Sequence, residues 1–237
     1  MLSIIFDIDD TLYHRQDPFT LAFDKLFPGH EDLDHAQLYK TFLHHGNSLF
    51  EDSMSGKISV EAMRIKRIQL ALAEFQIFIN DREALDFQEA YLWEQAHLKL
   101  HPAYQDMFEY CYQHKVTLGI ITNGPSSHQR VKYYAMGIDR WVPEDWVMAS
   151  GDVGINKPAV GIFNIAKEKW NLNLEETYYV GDSYEHDISS SKSVGWKTIW
   201  LDRNYQSASE TFEAADLIAH TPEELSECIK HLVNTSL

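Results

Sequence analysis

Leu2-Ser3-Ile4-Ile5-Phe6-Asp7-Ile8-Asp9-Asp10-Thr11 is a short apolar run that ends among three carboxylates. An apolar segment of this length reads as a strand buried on both faces, as in a parallel sheet. Asp7 then falls where the strand emerges, and in open α/β sheets ligands bind beyond the carboxyl ends of the strands. Three acids in four residues repel one another, which a bound cation or a shared proton relieves. A solvated Asp-rich turn that caps the next helix is the plainer alternative.

Two further runs repeat the pattern. Val116-Thr117-Leu118-Gly119-Ile120-Ile121 ends in Thr122-Asn123-Gly124, and Thr177-Tyr178-Tyr179-Val180 ends in Gly181-Asp182-Ser183. Between them, Gly154-Ile155-Asn156-Lys157-Pro158 brings a lysine to the start of a helical stretch, Val160 to Trp170. Each strand therefore delivers a small or charged polar residue at its C-terminal end. The remaining elements alternate: a helix from Pro102 to Gln113, another from Ser126 to Met136, and a short strand from Trp146 to Ala149. A helix over Asp187–Val194 is followed by a strand over Lys197–Leu201, a further strand over Ala215–Ala219, and a closing helix from Pro222 to Val233 with Thr221 as its cap. Strands alternating with helices predict an α/β fold, a Rossmann-like parallel sheet flanked by helices.

Between His14 and His101 the texture changes to helical periodicity. Leu38, Phe42, Leu49 and Phe50 mark one amphipathic helix, closed by Ser53-Met54-Ser55-Gly56. Ser59 is a candidate N-cap for a second, with Val60, Met63, Ala71, Leu72 and Phe75 on a shared face, and Asp81–Leu98 forms a third with Leu85, Tyr91, Leu92 and Trp93. This predicts an all-helical domain over residues 15–100, inserted into a core made of residues 1–14 and 101–237.

The ordered set resembles the haloacid dehalogenase-like superfamily of phosphohydrolases from Leu2 to about Leu201. Asp7, Asp9 and Thr11 match its Asp-x-Asp-x-Thr motif, Thr122 its second motif, and Lys157 its third, in a Lys-Pro-x-x-x-Ile-Phe setting. Gly181, Asp182 and Asp187 match the fourth. The resemblance implies that Asp7 attacks phosphorus to form an aspartyl-phosphate, while Asp9 protonates the leaving group and later deprotonates water. Thr122, Lys157 and the backbone N–H groups of Asn123 and Gly124 are expected to bind the phosphoryl oxygens. It also implies Mg²⁺, held by the carboxylates of Asp7 and Asp182 and the backbone carbonyl of Asp9, with Asp187 in or near the outer ligand sphere. An acid at Asp9 favours phosphate esters over carbon–halogen bonds, which have no alkoxide to protonate. The helical insert corresponds to a mobile cap that excludes water. A phosphomutase keeps the same motifs, and a non-catalytic binding module is a third reading.

Within the superfamily, the chain is similar to a capped subgroup that includes bacterial pyrimidine 5′-nucleotidases. Leu49-Phe50-Glu51-Asp52, Gly56-Lys57-Ile58-Ser59 and Gln129 contribute to that likeness. The resemblance therefore implies a small phosphorylated metabolite, either a nucleoside 5′-monophosphate or a sugar phosphate or phosphoglycolate. Phe19, Phe50 and Trp93 would stack a base or else pack the helical domain.

Composition sets the remaining expectations. The 237 residues carry a net charge of −16, which argues against a nucleic-acid polymer as partner. No apolar run is long enough to cross a membrane, and no basic leader precedes the first strand. Cys111 and Cys228 lack metal-binding spacing and read as free thiols of a cytoplasmic protein, monomeric or homodimeric. None of the 12 histidines forms a zinc-like motif.

Overall fold

The computed structural model describes residues 1–30, 32–208 and 215–236. In chain order, β1 (Ser3–Phe6) leads to four helices, α1 (Gln16–Leu26), α2 (His35–Met54), α3 (Val60–Ala73) and α4 (Asp81–Gln95). Then come α5 (Pro102–Gln113), β2 (Thr117–Thr122), α6 (Ser126–Ala135), β3 (Val147–Ala149), α7 (Ser150–Val153) and α8 (Gly161–Trp170). The chain continues through β4 (Thr177–Gly181), a π-helical turn at Tyr184–Ser189, α9 (Ser190–Lys192), β5 (Lys197–Leu201), β6 (Leu217–Ala219) and α10 (Pro222–Ser236). No helix among the described residues is long and apolar enough to cross a membrane.

The six strands form one sheet in the order β3-β2-β1-β4-β5-β6, and every adjacent pair is parallel. Register follows from burial, because Ile4, Ile5 and Phe6 are fully enclosed and a one-residue slip would exchange their faces. Ile4 and Phe6 pack toward α5 and α10, while Ile5 packs on the other face with Phe163, Trp170 and Trp196 of the α8 side. Burying each such side chain is worth about 1.5–3 kcal/mol. Gly119 in β2 has no room for a side chain, since a Cβ there would lie 2.8 Å from Ile5 Cδ1. After β1 the chain builds outward to β2 and β3, then returns to the other side of β1 with β4. That reversal makes the C-terminal ends of β1 and β4 the topological switch point, where open α/β sheets form their crevice.

The chain divides into two compact units, Met1–His14 with Leu98–Leu237, and Arg15–His97. The expected boundary at 100/101 falls three residues too far along, because Leu98 and Leu100 pack with the sheet unit's core. The helical unit has its own core, in which Phe19 touches Tyr39, Phe42 and Phe87 at ring separations of 5.2, 4.8 and 5.4 Å. Ser59 caps α3 by accepting from Ala62 N at 3.0 Å.

Several elements differ from the sequence expectation. α1 is an additional helix ahead of the three expected, with Phe19, Ala22 and Phe23 forming one buried stripe. Phe50, Val60 and Trp93 are exposed at 53%, 52% and 49%, off the face that carries Phe42, Ile68 and Phe87. Phe19 is a core residue and has no surface on which to stack a base. α4 stops at Gln95 instead of Leu98, and the helix expected over Asp187–Val194 is a π-turn followed by three residues of α9.

Candidate active site

The three strands β2, β1 and β4, neighbours in the sheet, end together at the switch point. Asp7 follows β1 directly, and its N–H donates to Val180 O of β4 at 2.9 Å. It is 5% exposed, and burial pushes its carboxyl up to about 6, with Lys157 pulling against that and Asp187 and Asp9 adding to it. Lys157 Nζ lies 2.7 Å from Asp7 Oδ1 and 2.6 Å from Asp187 Oδ1. Burial alone would lower this ammonium, but the two carboxylates together hold it well above the ordinary lysine value. Lys157 Nζ also donates to Tyr179 OH at 2.9 Å, and that hydroxyl donates to Ile121 O at 2.7 Å.

Asp182, at the end of β4, is half-buried, and Thr11 Oγ1 donates to its Oδ1 at 3.3 Å and to Asp7 Oδ2 at 3.4 Å. Asp187 is turned inward by the π-helical turn, where its Oδ2 accepts from Ser183 N at 3.0 Å. Gly181 must be glycine at this crossing, because a Cβ would fall 2.4 Å from Asp187 Cβ. One carboxylate oxygen from each of Asp7, Asp182 and Asp187 lies within 4.8 Å of the others. Three hard oxygen donors fit magnesium, an ion that takes oxygen ligands and keeps several waters. The Asp9 carboxylate is not part of this group. It accepts instead from Tyr13 OH, from Lys132 Nζ at 2.6 Å and from Gln129 Nε2 at 3.0 Å.

Thr122 ends β2 fully buried, and its Oγ1 finds no hydrogen-bond partner among the described residues. A buried hydroxyl left unpaired costs about 1–3 kcal/mol, so an acceptor is expected to reach it. The Asn123 side chain does what its motif position did not suggest. Its Oδ1 accepts from Lys157 N at 2.8 Å and its Nδ2 donates to Lys157 O at 2.9 Å, clamping the lysine's backbone. The Gly124 N–H, expected to face phosphate, donates to Ser150 Oγ at 2.9 Å. The turn after β1 is pinned from outside, since Arg203 donates to the carbonyls of Asp10 at 3.2 Å and Thr11 at 3.4 Å.

Tyr179, Gln129, Lys132, Ser150 and Arg203 are thus the site's supporting residues that motif reasoning did not assign a role. One signal was available: Gln129 and Lys132 stand three apart on α6, sharing one face.

The profile of the haloacid dehalogenase-like hydrolase family matches residues 4–201. The chain belongs to that family. Among curated relatives, the glyceraldehyde 3-phosphate phosphatase of Methanocaldococcus jannaschii is 31% identical over 115 residues, 48% of this chain and 50% of that protein. The phosphoserine phosphatase of Thermus thermophilus is 28% identical over 120 residues, 51% of this chain and 47% of that protein. The chain thus spans about half the length of these two relatives. The ribulose-1,5-bisphosphate 5-phosphatase of Halopiger xanaduensis is 26% identical over 92% of this chain and 90% of its own. Among solved structures, a HAD hydrolase of Bacillus subtilis bound to magnesium superposes with a TM-score of 0.70 at 20% identity, over 96% of this chain and 98% of that one. The L-2-haloacid dehalogenase of Xanthobacter autotrophicus gives 0.70 at 14% identity, over 98% of this chain and 99% of that one. Both structures share the fold of this haloacid dehalogenase-like chain.

Proposed function

We propose that the protein is a magnesium-dependent phosphomonoester hydrolase that works through an aspartyl-phosphate on Asp7. The observation that carries this reading is the buried Asp7–Lys157–Asp187 cluster at the ends of β1 and β4. Removing ions from water is costly, and packing alone gives no reason to gather two carboxylates and an ammonium there.

In the first step an Asp7 oxygen forms a bond to phosphorus as the ester P–O bond breaks, and Asp9 gives its proton to the departing alkoxide. In the second step water attacks phosphorus, Asp9 takes its proton, and the Asp7–phosphorus bond breaks to release phosphate. Lys157 and the orphaned Thr122 hydroxyl hold the phosphoryl oxygens, supplying charge and donors where negative charge is shared in the transition state. Asp7, Asp182 and Asp187 would hold magnesium, together with the Asp9 carbonyl that the family pattern adds, and the ion would neutralise charge on those oxygens. Asn123 contributes chiefly by fixing Lys157, and Gly124 N–H joins the phosphate donors only by releasing Ser150 Oγ. The free Cys111 and Cys228 suit a reducing cytoplasm.

The substrate is a small phosphorylated metabolite. The three relatives are named for phosphates of glyceraldehyde, serine and ribulose, short skeletons without a base. With Phe19 consumed by the helical core, a short sugar or hydroxy-acid phosphate is the preferred substrate over a nucleoside 5′-monophosphate. The test is phosphate release, with and without magnesium, from glyceraldehyde 3-phosphate, phosphoserine, phosphoglycolate, sugar phosphates, nucleoside 5′-monophosphates and p-nitrophenyl phosphate. Preference for a nucleotide reverses the substrate assignment and keeps the chemistry. Isomerised sugar phosphate in place of inorganic phosphate identifies a mutase, and no turnover of any compound removes the enzymatic reading.

A further inference from the structure

Tyr13 and two side chains from one face of α6 hold Asp9. Lys132 Nζ sits 2.6 Å from Asp9 Oδ1, the oxygen that also accepts from Tyr13 OH. Gln129 Nε2 donates to Asp9 Oδ2 at 3.0 Å and to Asn123 O at 2.7 Å. Two acceptors on one amide nitrogen settle which end of Gln129 faces the carboxylate. Both α6 side chains are enclosed, Gln129 at 2% and Lys132 at 3% exposure. A lysine so deeply placed is costly unless its charge is matched, and a methionine would fill the space without that cost. Asp9 matches this ammonium in the ionised form that takes the proton of water, with the Tyr13 ring 5.6 Å away. The surroundings make room for the arrangement, since a Cβ on Gly124 would lie 2.6 Å from Gln129 Nε2.

We propose that Lys132 and Gln129 are positioning residues for Asp9, fixing the direction of its carboxylate relative to the phosphate-binding turn. The inference rests on the reading of Asp9 as the group that protonates the leaving oxygen. An aspartate on a loop turns freely about two side-chain bonds, whereas α6 is anchored in the core through the buried Tyr133. Through Gln129, the acid and the Asn123 carbonyl share one amide group, so the proton donor and the turn that follows Thr122 keep a common frame. Neither α6 residue is assigned a contact with the phosphoryl group. Losing either should therefore impair departure of poor leaving groups and largely spare good ones. A displacement of about 1 Å at a reacting group can cost on the order of 100-fold in rate.

The test measures kcat for phenyl phosphate and p-nitrophenyl phosphate, with magnesium, in wild type, Lys132→Met, Lys132→Arg, Gln129→Met and Asp9→Asn. Expected is a loss of about tenfold or more on phenyl phosphate in Lys132→Met, against less than about threefold on p-nitrophenyl phosphate. Gln129→Met should show the same split, Lys132→Arg a smaller one, and Asp9→Asn the largest. If Asp9→Asn shows the split while both α6 variants lose the two activities equally, or lose neither, the positioning role is refuted and the acid role stands. If Asp9→Asn shows no split, the acid role fails and this inference fails with it. Should Lys132→Met not fold, Lys132→Arg and Gln129→Met separate the same outcomes.

Discussion

Asp7→Asn should make the metal-free protein more stable at neutral pH, and the gain should grow as pH rises. Burial lifts the Asp7 carboxyl from its ordinary 3.8 to about 6 in the folded state, while the unfolded chain titrates at the ordinary value. Between those values the folded protein retains a proton that the unfolded chain has lost, so stability falls as pH rises through this window and is flat above it. Lifting the carboxyl from 3.8 to about 6 costs about 3 kcal/mol in full. About 2 kcal/mol of it develops between roughly pH 4.5 and 7.5. Asparagine has no proton to lose, and Lys157 keeps Asp187 as its counter-charge at 2.6 Å. Melting curves of wild type and Asp7→Asn in EDTA at those two pH values read the change in the gap between the two proteins, in which titrating groups remote from Asp7 cancel. For a chain of this size, about 2 kcal/mol corresponds to a widening of the Tm gap by about 4–8 °C. A gap that stays constant with pH, or closes as pH rises, refutes the account of Asp7 as a carboxylate strained by burial. Turnover should be abolished in the same variant, and retained activity would remove Asp7 as the nucleophile.

Lys157→Met leaves Asp7 and Asp187 adjacent without a cation, so the metal-free protein should lose about 3–5 kcal/mol, partly recovered on adding magnesium; an unchanged Tm in EDTA contradicts the ion-pair geometry. Thr122→Val deletes a hydroxyl that has no partner among the described residues, so Tm should hold or rise while p-nitrophenyl phosphate turnover falls about 100-fold; a stability loss without an activity loss reverses the assignment. Asp182→Ala should raise the magnesium concentration for half-maximal activity about tenfold or more, and an unchanged requirement takes Asp182 out of the ligand set.

The strand ends were legible because a parallel sheet leaves two separate marks in a sequence. One is an apolar run too short for a helix, and the other is the polar residue that must follow it. Asp7, Thr122 and Asp182 each stand at such a junction, and the sheet order brings β2 and β4 to either side of β1. The helical unit was legible in kind but less so in detail, because helical periodicity tolerates a wide apolar stripe. Phe50 and Trp93 fit a helical pattern yet lie off the buried face, and α1 was hidden by Pro18, which sits in its first turn where proline is tolerated. Phosphate contacts of Asn123 and Gly124 were inferred from motif position alone. Motif position does not reveal that an Asn side chain will span 34 residues of sequence to hold the Lys157 backbone.

What distinguishes this site from its motifs is the set of ties between loops that a common sheet would otherwise leave independent. Parallel strands aim their C-terminal residues at one crevice, but each loop beyond them can shift by an ångström at little cost. Here Asn123 binds the β2 turn to the Lys157 loop, and Tyr179 binds Lys157 back to the carbonyl of Ile121. Trp200 Nε1 donates to Asp182 O at 2.9 Å, and Ser183 N holds Asp187. Gln129 closes the network by joining Asn123 to Asp9. Side chains that must act within fractions of an ångström need such a frame. The supporting residues lie outside the four motifs, so motif spacing alone could not reveal them. They stand on the elements that hold each motif side chain, as α6 holds Asp9 through Lys132 and Gln129.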